Sequence, residues 1–328
     1  MQKQITPLSK SHPTSTSPLP TVSVVIETYN EETGPVLEIE QVLAGLAGQS
    51  YPADKIDILV AVDSANEALK QRLLEGHPDI EVFQTENSTY YSMKIEGINR
   101  ARGDIIVMLD SDCLPVPGWA EAIARSISSG ADVVAGKTRY VKGAPWSKTF
   151  DFWNFGYVQA DASGIANTFL PNNVAFRREV ILKHNFNPSI RRSGAAHLLC
   201  GQLKNLGYRV DYNPGMQVAH NAYGAAEEVR MRIKAGYDTV NLAGLDDGLD
   251  LEETRFVRSN RLLGLARVCI RGLVFDLRAL FRNRQDLGLS FYHVPYFLLV
   301  SPLFRLLEFS SAVITVIKPD YFRKKFDW

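Results

Sequence analysis

The sequence contains the run Ile105-Ile106-Val107-Met108-Leu109-Asp110-Ser111-Asp112, in which an apolar stretch leads directly into two acids. A short apolar run of this kind is typical of a strand buried on both faces of a parallel sheet. Two earlier runs have the same character: Val22-Ser23-Val24-Val25-Ile26, and residues 56–62, which end in Asp63. These three runs predict the central strands of one sheet.

Helical patterns separate the predicted strands. Alternation of strands with helices of about ten residues indicates βαβ units. The sequence therefore predicts an α/β fold with a mostly parallel, Rossmann-like sheet and helices on both faces. The helical patterns lie at 36–46, 65–75, 92–102 and 117–128, and two further strand patterns lie at 81–85 and 133–136.

Two of the acids that follow predicted strands are expected to meet in space, although they are far apart in the sequence. In open α/β sheets, ligands bind beyond the carboxyl ends of the strands. Asp63 and Asp110 both stand at such ends. We therefore expect the two side chains to line one crevice.

Asp110 and Asp112 place two carboxylates one residue apart at the end of the most apolar strand. Carboxylates repel a nucleoside diphosphate unless a cation lies between them, and Mn²⁺ or Mg²⁺ binds oxygens of both. An Asp-X-Asp triplet alone is weak evidence, since on the order of one occurs by chance in a chain of this size. Its position after a buried strand favours a metal and nucleotide site over a solvated turn.

Five segments carry motifs that occur in a fixed order: residues 22–31 (VSVVIETYNE), 61–64 (AVDS), 102–112 (RGDIIVMLDSD), 171–178 (PNNVAFRR) and 207–220 (GYRVDYNPGMQVAH). In this order they resemble the family 2 glycosyltransferases over roughly residues 21–222. The resemblance implies an A-type glycosyltransferase fold, a nucleoside diphosphate sugar as donor, and an inverting mechanism.

The resemblance also implies roles for individual residues. Asp112 would be the main metal ligand, and Asp110 would face the ribose or the metal. Asp63 would accept a hydrogen bond from the base, and Lys94 would approach the phosphates. His220 would be either a further metal ligand or phosphate contact, or a hydrogen-bonded core residue. The residues that would flank the nucleotide are Glu27, Thr28 and Tyr29, with Glu31 near the ribose or base.

Two positions depart from the family pattern. Glu27 stands where the family commonly has a proline, which bears on the choice of base. Ala195-Ala196 stands where the family has Glu-Asp at a helix start, and that Asp is the family's general base. Alanine cannot accept a proton, so the usual mechanism lacks its base here.

Three explanations stay open: His197 is the catalytic base, an acid such as Asp161 or Glu227 reaches the site, or the protein binds a donor without transferring it.

The C-terminal third combines apolar helical patterns with arginines. Residues 261–281 predict an amphipathic helix, which suits either an anionic membrane surface or packing on the catalytic domain. Its residues Arg267, Arg271 and Arg278 fall together at spacings of four and seven. Residues 291–317 are more apolar, but prolines and charges interrupt them, and a spanning helix needs roughly 20 apolar residues. We therefore expect interfacial or re-entrant helices rather than a clean span.

The remaining composition narrows the class of protein. The 328 residues carry 36 basic and 36 acidic side chains, so no net charge draws the chain to nucleic acid. Residues 1–20 are rich in Ser, Thr and Pro, lack the apolar core of a signal peptide, and predict a flexible arm. We expect a catalytic domain at 21–235 and membrane-associated helices at 236–328. The expected location is cytoplasmic, as a peripheral or monotopic protein at the inner face of the membrane.

The leading hypothesis is a metal-dependent glycosyltransferase that uses a nucleoside diphosphate sugar and a saccharide or lipid-linked acceptor near the membrane. The alternative is a catalytically inactive nucleotide-sugar-binding subunit that supports a partner protein, which the missing acidic pair favours. A nucleotidyltransferase on a similar sheet fits less well, because no Gly-rich loop with a lysine follows the first strand.

Overall fold

A computed structural model describes most of the chain. Glu31 and the greater part of the predicted N-terminal arm lie outside the described residues. The described residues are 18–29, 37–86, 88–140, 147–188, 190, 194–220, 222, 224–245, 255, 257–258, 260–284 and 288–326.

One eight-stranded sheet organises the N-terminal two thirds of the chain. Its strands lie in the order β3-β2-β1-β4-β7-β6-β8-β5. The first four are parallel to one another, β7 is antiparallel to both β4 and β6, and β8 is parallel to β6. The strands are β1 (Val22–Glu27), β2 (Ile56–Asp63), β3 (Glu81–Thr85), β4 (Ile105–Asp110), β5 (Cys113–Pro115), β6 (Val133–Tyr140), β7 (Asn173–Arg177) and β8 (Val210–His220).

Helices cover both faces of this sheet, as the sequence predicted. In β1, Val24 and Ile26 pack into one hydrophobic core and Val25 packs into the other, so the strand is buried on both sides. This double burial explains the continuous apolar runs. The helices of this part are α1 (Leu37–Ala47), α2 (Glu67–Gly76), α3 (Tyr90–Arg100), α4 (Trp119–Ser128), α5 (Ser147–Asp151), α6 (Arg178–Lys183) and α7 (Ala195–Asn205).

The predicted elements are confirmed, with shifts at their ends that have local causes. Helix α3 begins at Tyr90 instead of residue 92, because the Thr89 side chain accepts a hydrogen bond from the Ser92 N–H and caps the helix there. Strand β6 continues beyond the predicted end at residue 136 to Tyr140, and a register shift between Gly136 and Lys137 marks the junction.

The C-terminal part is helical and packs on the sheet domain through aromatic side chains. It contains α8 (Ala225–Leu245), α9 (Arg261–Asn283), α10 (His293–Ile317) and α11 (Asp320–Phe326). Trp153 stacks on Phe297 of α10, with ring centroids 4.7 Å apart. The backbones of α8 and α10 touch at Gly236, where a Cβ atom would lie 2.0 Å from the carbonyl oxygen of Glu308. The chain thus enters its helical part at Ala225, and the expected boundary at residue 235 falls inside α8.

Among the described helices, α10 alone has the length and apolar composition of a membrane span, and 33% of its most apolar stretch is buried inside the protein. It is continuous through both prolines that we expected to interrupt it. Pro295 lies in the first turn, where a missing N–H costs nothing, and Pro302 lies inside the helix. Length therefore does not exclude a span, although the interrupting prolines and charges led us to expect none.

Candidate active site

The carboxyl ends of β1 and β4 lie side by side, because Glu27 is the register partner of Asp110. Lys94 reaches both strand ends from α3. Its Nζ donates to Asp110 Oδ1 at 2.6 Å and lies 3.9 Å from Glu27 Oε1. Tyr90 also donates to Asp110, at 2.9 and 3.0 Å from the two carboxylate oxygens. The Lys94 ammonium and the Tyr90 hydroxyl therefore fix the orientation of the Asp110 carboxylate.

Glu27 is a buried carboxyl with an incomplete set of partners. Its Oε2 accepts the Tyr29 N–H at 2.7 Å, while its buried Oε1 has no hydrogen-bond partner among the described residues. Burial raises the pKa of Glu27 well above its ordinary value, and the charge of Asp110 raises it further. The nearby Lys94 opposes this shift without overcoming it. Glu27 thus presents an unsatisfied acceptor close to Asp110.

Asp112 lies beside His220, because the three-residue strand β5 pairs with the end of β8 and makes Cys113 the partner of His220. The Asp112 Oδ2 lies 3.1 Å from His220 Nε2. Burial by itself would raise the pKa of Asp112, but the ion pair and hydrogen bond with His220 hold it below its ordinary value. His220 is buried and also packs against the ring of Phe155.

The donor set at this point fits a divalent cation. One ligand atom each from Asp112, Cys113 and His220 lies within 4.8 Å of the others. Carboxylate oxygens and imidazole nitrogens are ligands that Mn²⁺ accepts, and Mg²⁺ prefers the oxygens. Sequence reasoning missed Cys113 as a member of this group. Its only signal was its place directly after Asp112, since the pairing of β5 with β8 is a long-range contact.

The other residues that the resemblance implies differ in their contacts and in their burial. Asp63 ends β2 at the same edge of the sheet, where its Oδ1 accepts the Ala65 N–H at 2.8 Å. Thr28 donates to the Ala61 carbonyl at 3.0 Å and so joins the ends of β1 and β2. Lys94 is completely buried, so its ammonium faces Asp110 and Glu27 instead of solvent. The roles of these residues towards a nucleotide stay predictions, and Glu31 lies outside the described residues.

A cavity of about 500 Å³ lies between the sheet domain and the C-terminal helices. Asp110 lines it on the sheet side, Ala196 and His197 at the start of α7, and Arg232 on α8. The His197 Nδ1 lies 3.4 Å from the Thr168 hydroxyl. His197 therefore lies on the cavity wall instead of pointing into the core.

The two distant acids that we considered as substitute bases do not line this cavity. Asp161 is exposed and accepts hydrogen bonds from Ser163 and Ile165 in its own loop. Glu227 is half-buried and lies 3.7 Å from Arg230. Neither is placed to reach an acceptor bound near Asp110.

The fold of the chain is that of a known class of proteins. A mostly parallel sheet with acids at the carboxyl ends of its central strands is the A-type glycosyltransferase arrangement, and two solved structures confirm the fold. A mannosyltransferase from Pyrobaculum calidifontis in complex with GDP-Man and Mn²⁺ superimposes with a TM-score of 0.59 at 21% identity, over 90% of this chain and 87% of that one. GalNAc-T7 with UDP, GalNAc and Mn²⁺ gives 0.51 at 16% identity, over 62% and 44%.

The family follows from the sequence comparisons. The model of glycosyl transferase family 2 matches residues 23–184, about half of the chain. Glycosyltransferase AglE of Haloferax volcanii is 25% identical over 70% of this chain and 77% of its own length. A glucosyl-dolichyl phosphate glucuronosyltransferase of the same organism is 26% identical over 62% and 69%. A dolichol-phosphate mannosyltransferase of Pyrococcus furiosus is 30% identical over 37% and 34%. We therefore identify the chain as a glycosyltransferase of family 2, as its motifs predicted.

Proposed function

We propose that this chain transfers a sugar from a nucleoside diphosphate sugar, bound through Mn²⁺ or Mg²⁺, to an acceptor carried by a lipid at a membrane surface. The observation that carries the proposal is the pair of Asp112 and His220 beside the fixed carboxylate of Asp110, all at the sheet edge where such donors bind. Mn²⁺ accompanies the nucleotide in both similar solved structures, which supports a divalent cation here.

The chain's own residues have distinct parts in this proposal. Asp112 and His220 hold the cation, and Asp110 is oriented towards the cation or the ribose by Tyr90 and Lys94. The cation neutralises the diphosphate and stabilises it as a leaving group. Lys94 adds positive charge behind Asp110, and so acts on the phosphates from a distance. The remaining nucleotide contacts are Glu27, Thr28 and Tyr29 at the end of β1, Glu31 near the ribose or base, and Asp63 at the base.

The acceptor is proposed to be lipid-linked because of the names of the relatives and the position of the cavity. Two relatives are named for dolichyl or dolichol phosphate substrates. The cavity opens between Asp110 and the C-terminal helices, and the aromatic rings of Phe152 and Trp153 form part of its wall. An acceptor held at a membrane would therefore meet the donor at this junction.

Helix α10 supports a membrane location by the way it distributes its side chains. Its exposed side carries Leu299, Leu303 and Leu306, which are 63%, 57% and 58% exposed. Its two charged residues point inward instead: Arg305 lies 2.6 Å from Asp276, and Glu308 pairs with Arg232 on α8. A helix that buries ion pairs and exposes leucines is expected where its surroundings are apolar.

Exposed cations on α9 suit the charged headgroups next to such a helix. Arg267, Arg271 and Arg278 all lie on the exposed side of α9, as their spacing predicted. Basic side chains near a membrane surface are attracted to anionic lipids. We therefore propose a peripheral or monotopic protein at the cytoplasmic face of the membrane, where nucleotide sugars are made.

The test is a transfer assay with the full chain in detergent or lipid vesicles. Labelled GDP-mannose, UDP-glucose and UDP-glucuronic acid are each supplied with Mn²⁺, with dolichyl phosphate or glucosyl-dolichyl phosphate as acceptor. We expect label to enter the lipid phase with at least one donor and to stop when Mn²⁺ is chelated. Binding of a donor without transfer to any acceptor would instead favour the second candidate, an inactive nucleotide-sugar-binding subunit. That candidate is supported by Ala196 at the start of α7, which lines the cavity without a carboxylate.

A further inference from the structure

The metal site contains a sulfur donor that the proposed function does not use. Cys113 follows Asp112 directly, and its Sγ lies 3.8 Å from Asp112 Oδ1, while His220 Nε2 lies 3.1 Å from Asp112 Oδ2. One ligand atom from each of the three residues lies within 4.8 Å of the others. The Asp112 carboxylate therefore stands between a thiol and an imidazole, with one oxygen near each.

These separations are close to those around a tetrahedral zinc ion. With bond lengths of about 2.0–2.3 Å to oxygen, nitrogen and sulfur, the ligand atoms of such an ion stand roughly 3.3–3.8 Å apart. The two distances at Asp112 are 3.1 and 3.8 Å. Three protein ligands drawn from these elements, with a fourth position open, are also the usual set of a zinc site that binds a further ligand.

The pairing of β5 with β8 holds the three groups in place. Cys113 and His220 are register partners in this antiparallel pair, so their side chains stand side by side on one face of the sheet. The rings of Tyr140 and Phe155 pack against His220, with ring centroids 5.9 and 5.1 Å away. Both Cys113 and His220 are buried, which restricts the orientations of the thiol and the imidazole.

Cys113 differs from the other two cysteines in its surroundings. The Cys200 thiol donates to the carbonyl of Asn167, and the Cys269 thiol donates to the carbonyl of Arg305. Within the part of the chain that the structure describes, neither belongs to a group of three metal-binding side chains. Cys200 and Cys269 are therefore internal controls for the effect of a thiol as such.

We propose that Cys113 is a third protein ligand of the metal site and makes this site bind thiophilic divalent cations, Zn²⁺ above all, more tightly than Mn²⁺ or Mg²⁺. Thiolate is a soft ligand that zinc accepts, whereas magnesium and manganese suit oxygen ligands. The Cys113 sulfur bonds to the cation, and the thiol proton passes to solvent. Burial raises the pKa of this thiol, so the loss of the proton has a cost that only a cation with strong affinity for sulfur offsets.

The consequence is competition between Zn²⁺ and the activating cation. Both ions need Asp112 and His220, so Zn²⁺ excludes Mn²⁺ from the site. This inference rests on the proposed function for the place of the activating cation. The thiol ligand itself has a signature that does not depend on activity, because a thiolate bound to Co²⁺, an ion that occupies zinc sites, absorbs in the near ultraviolet.

The first test is a Co²⁺ titration of the full chain in detergent, followed by this absorption. We expect the unchanged chain to show the thiolate absorption and Zn²⁺ to abolish it. Cys113→Ser should lose the absorption. Cys200→Ser and Cys269→Ser make the same change at the other two cysteines and should keep it.

The second test measures the competition. Zn²⁺ binds nitrogen and oxygen ligands more tightly than Mn²⁺ even without sulfur, so the share of the thiol is obtained by comparison of variants. The electron paramagnetic resonance signal of free Mn²⁺, with GDP present throughout, gives the Zn²⁺ concentration that displaces half of the bound Mn²⁺. Loss of even an outer-shell partner typically costs about 10–100-fold in metal affinity, so Cys113→Ser should raise this concentration roughly tenfold or more. Cys200→Ser should leave it unchanged.

Mn²⁺-dependent GDP binding shows that the site of each variant is folded. If Cys113→Ser loses this binding, Cys113→Ala replaces it, because alanine keeps an apolar side chain in the core. The inference is overturned if the unchanged chain gives no thiolate absorption with Co²⁺, if the absorption survives in the folded Cys113 variant, or if that variant needs no more Zn²⁺ than the unchanged chain. Mn²⁺-dependent GDP binding without thiolate absorption refutes the thiol ligand alone. Absence of any Mn²⁺ effect on GDP binding refutes the metal-dependent donor binding of the proposed function instead.

Discussion

Replacement of Lys94 by methionine is a direct test of how this site is held together. The Lys94 side chain is fully buried, its Nζ lies 2.6 Å from Asp110 Oδ1 and 3.9 Å from Glu27 Oε1, and its stem crosses the core below the site. Methionine keeps the length and the apolar contacts of this stem and removes the ammonium group, with its charge and its hydrogen bond to Asp110. The variant therefore leaves two neighbouring buried carboxyls without their cation.

The size of the effect follows from the depth of burial. Removal of one partner from a buried ion pair costs about 3–5 kcal/mol, because the other charge stays buried and uncompensated. Total stabilities are only about 5–15 kcal/mol, so Lys94→Met should strongly lower the urea midpoint. The loss should shrink as the pH falls, since protonation of Glu27, whose pKa burial raises, removes its repulsion with Asp110.

The assay is urea unfolding of the full chain in detergent, followed by tryptophan fluorescence. The control is Lys70→Met on α2, a lysine on the surface whose Nζ lies 3.4 Å from Glu67. A surface pair of this kind contributes about 0–1 kcal/mol. If Lys94→Met lowers the free energy of unfolding by no more than Lys70→Met does, the buried cation does not organise the site and the reasoning is refuted.

Three further variants test other parts of the account. Glu27→Gln tests the raised pKa of the Glu27 carboxyl. Because the folded state keeps the carboxyl proton at pH values where the unfolded chain has lost it, the free energy of unfolding should fall as the pH rises above about 4.5. Urea titrations across pH should show a shallower fall for the variant, and an identical slope would contradict the shift. Asp63→Ala should weaken nucleoside diphosphate binding by about 1–3 kcal/mol in calorimetry, and equal affinity in the folded variant would rule out its contact with the base. Leu303→Glu on α10 should reduce sedimentation with anionic liposomes, whereas Leu182→Glu on α6 should not, and equal behaviour of the two would count against the membrane surface.

The sequence was sufficient to predict the sheet and the acids at its edge. Continuous apolar runs such as residues 105–109 occur where a strand is buried on both faces, and the strand ends then fix where Asp63 and Asp110 lie. Both inferences use only local pattern and the rules of parallel sheets. The same is true of the spacing of the arginines in α9, which the structure places on one exposed side.

The sequence could not predict the features that depend on contacts between distant residues. Cys113 joins His220 only because β5 pairs with β8, which is more than a hundred residues away in the chain. Leu242 of α8 packs on Gly194 just before α7, a contact without any local signature. Because Lys94 is charged, its sequence pattern predicts a position at the surface. In the structure its ion pair with Asp110 holds it in the core.

The most direct test of the central claim is the dependence of nucleotide binding on the metal at Asp112. Calorimetry of GDP and UDP binding to the full chain is performed with Mn²⁺ and then with a chelator, for the unchanged chain and for Asp112→Asn. We predict that Mn²⁺ tightens binding to the unchanged chain at least tenfold, about 1.4 kcal/mol, and that Asp112→Asn loses this difference. Equal affinity with and without Mn²⁺, or an undiminished Mn²⁺ effect in Asp112→Asn, would contradict the account.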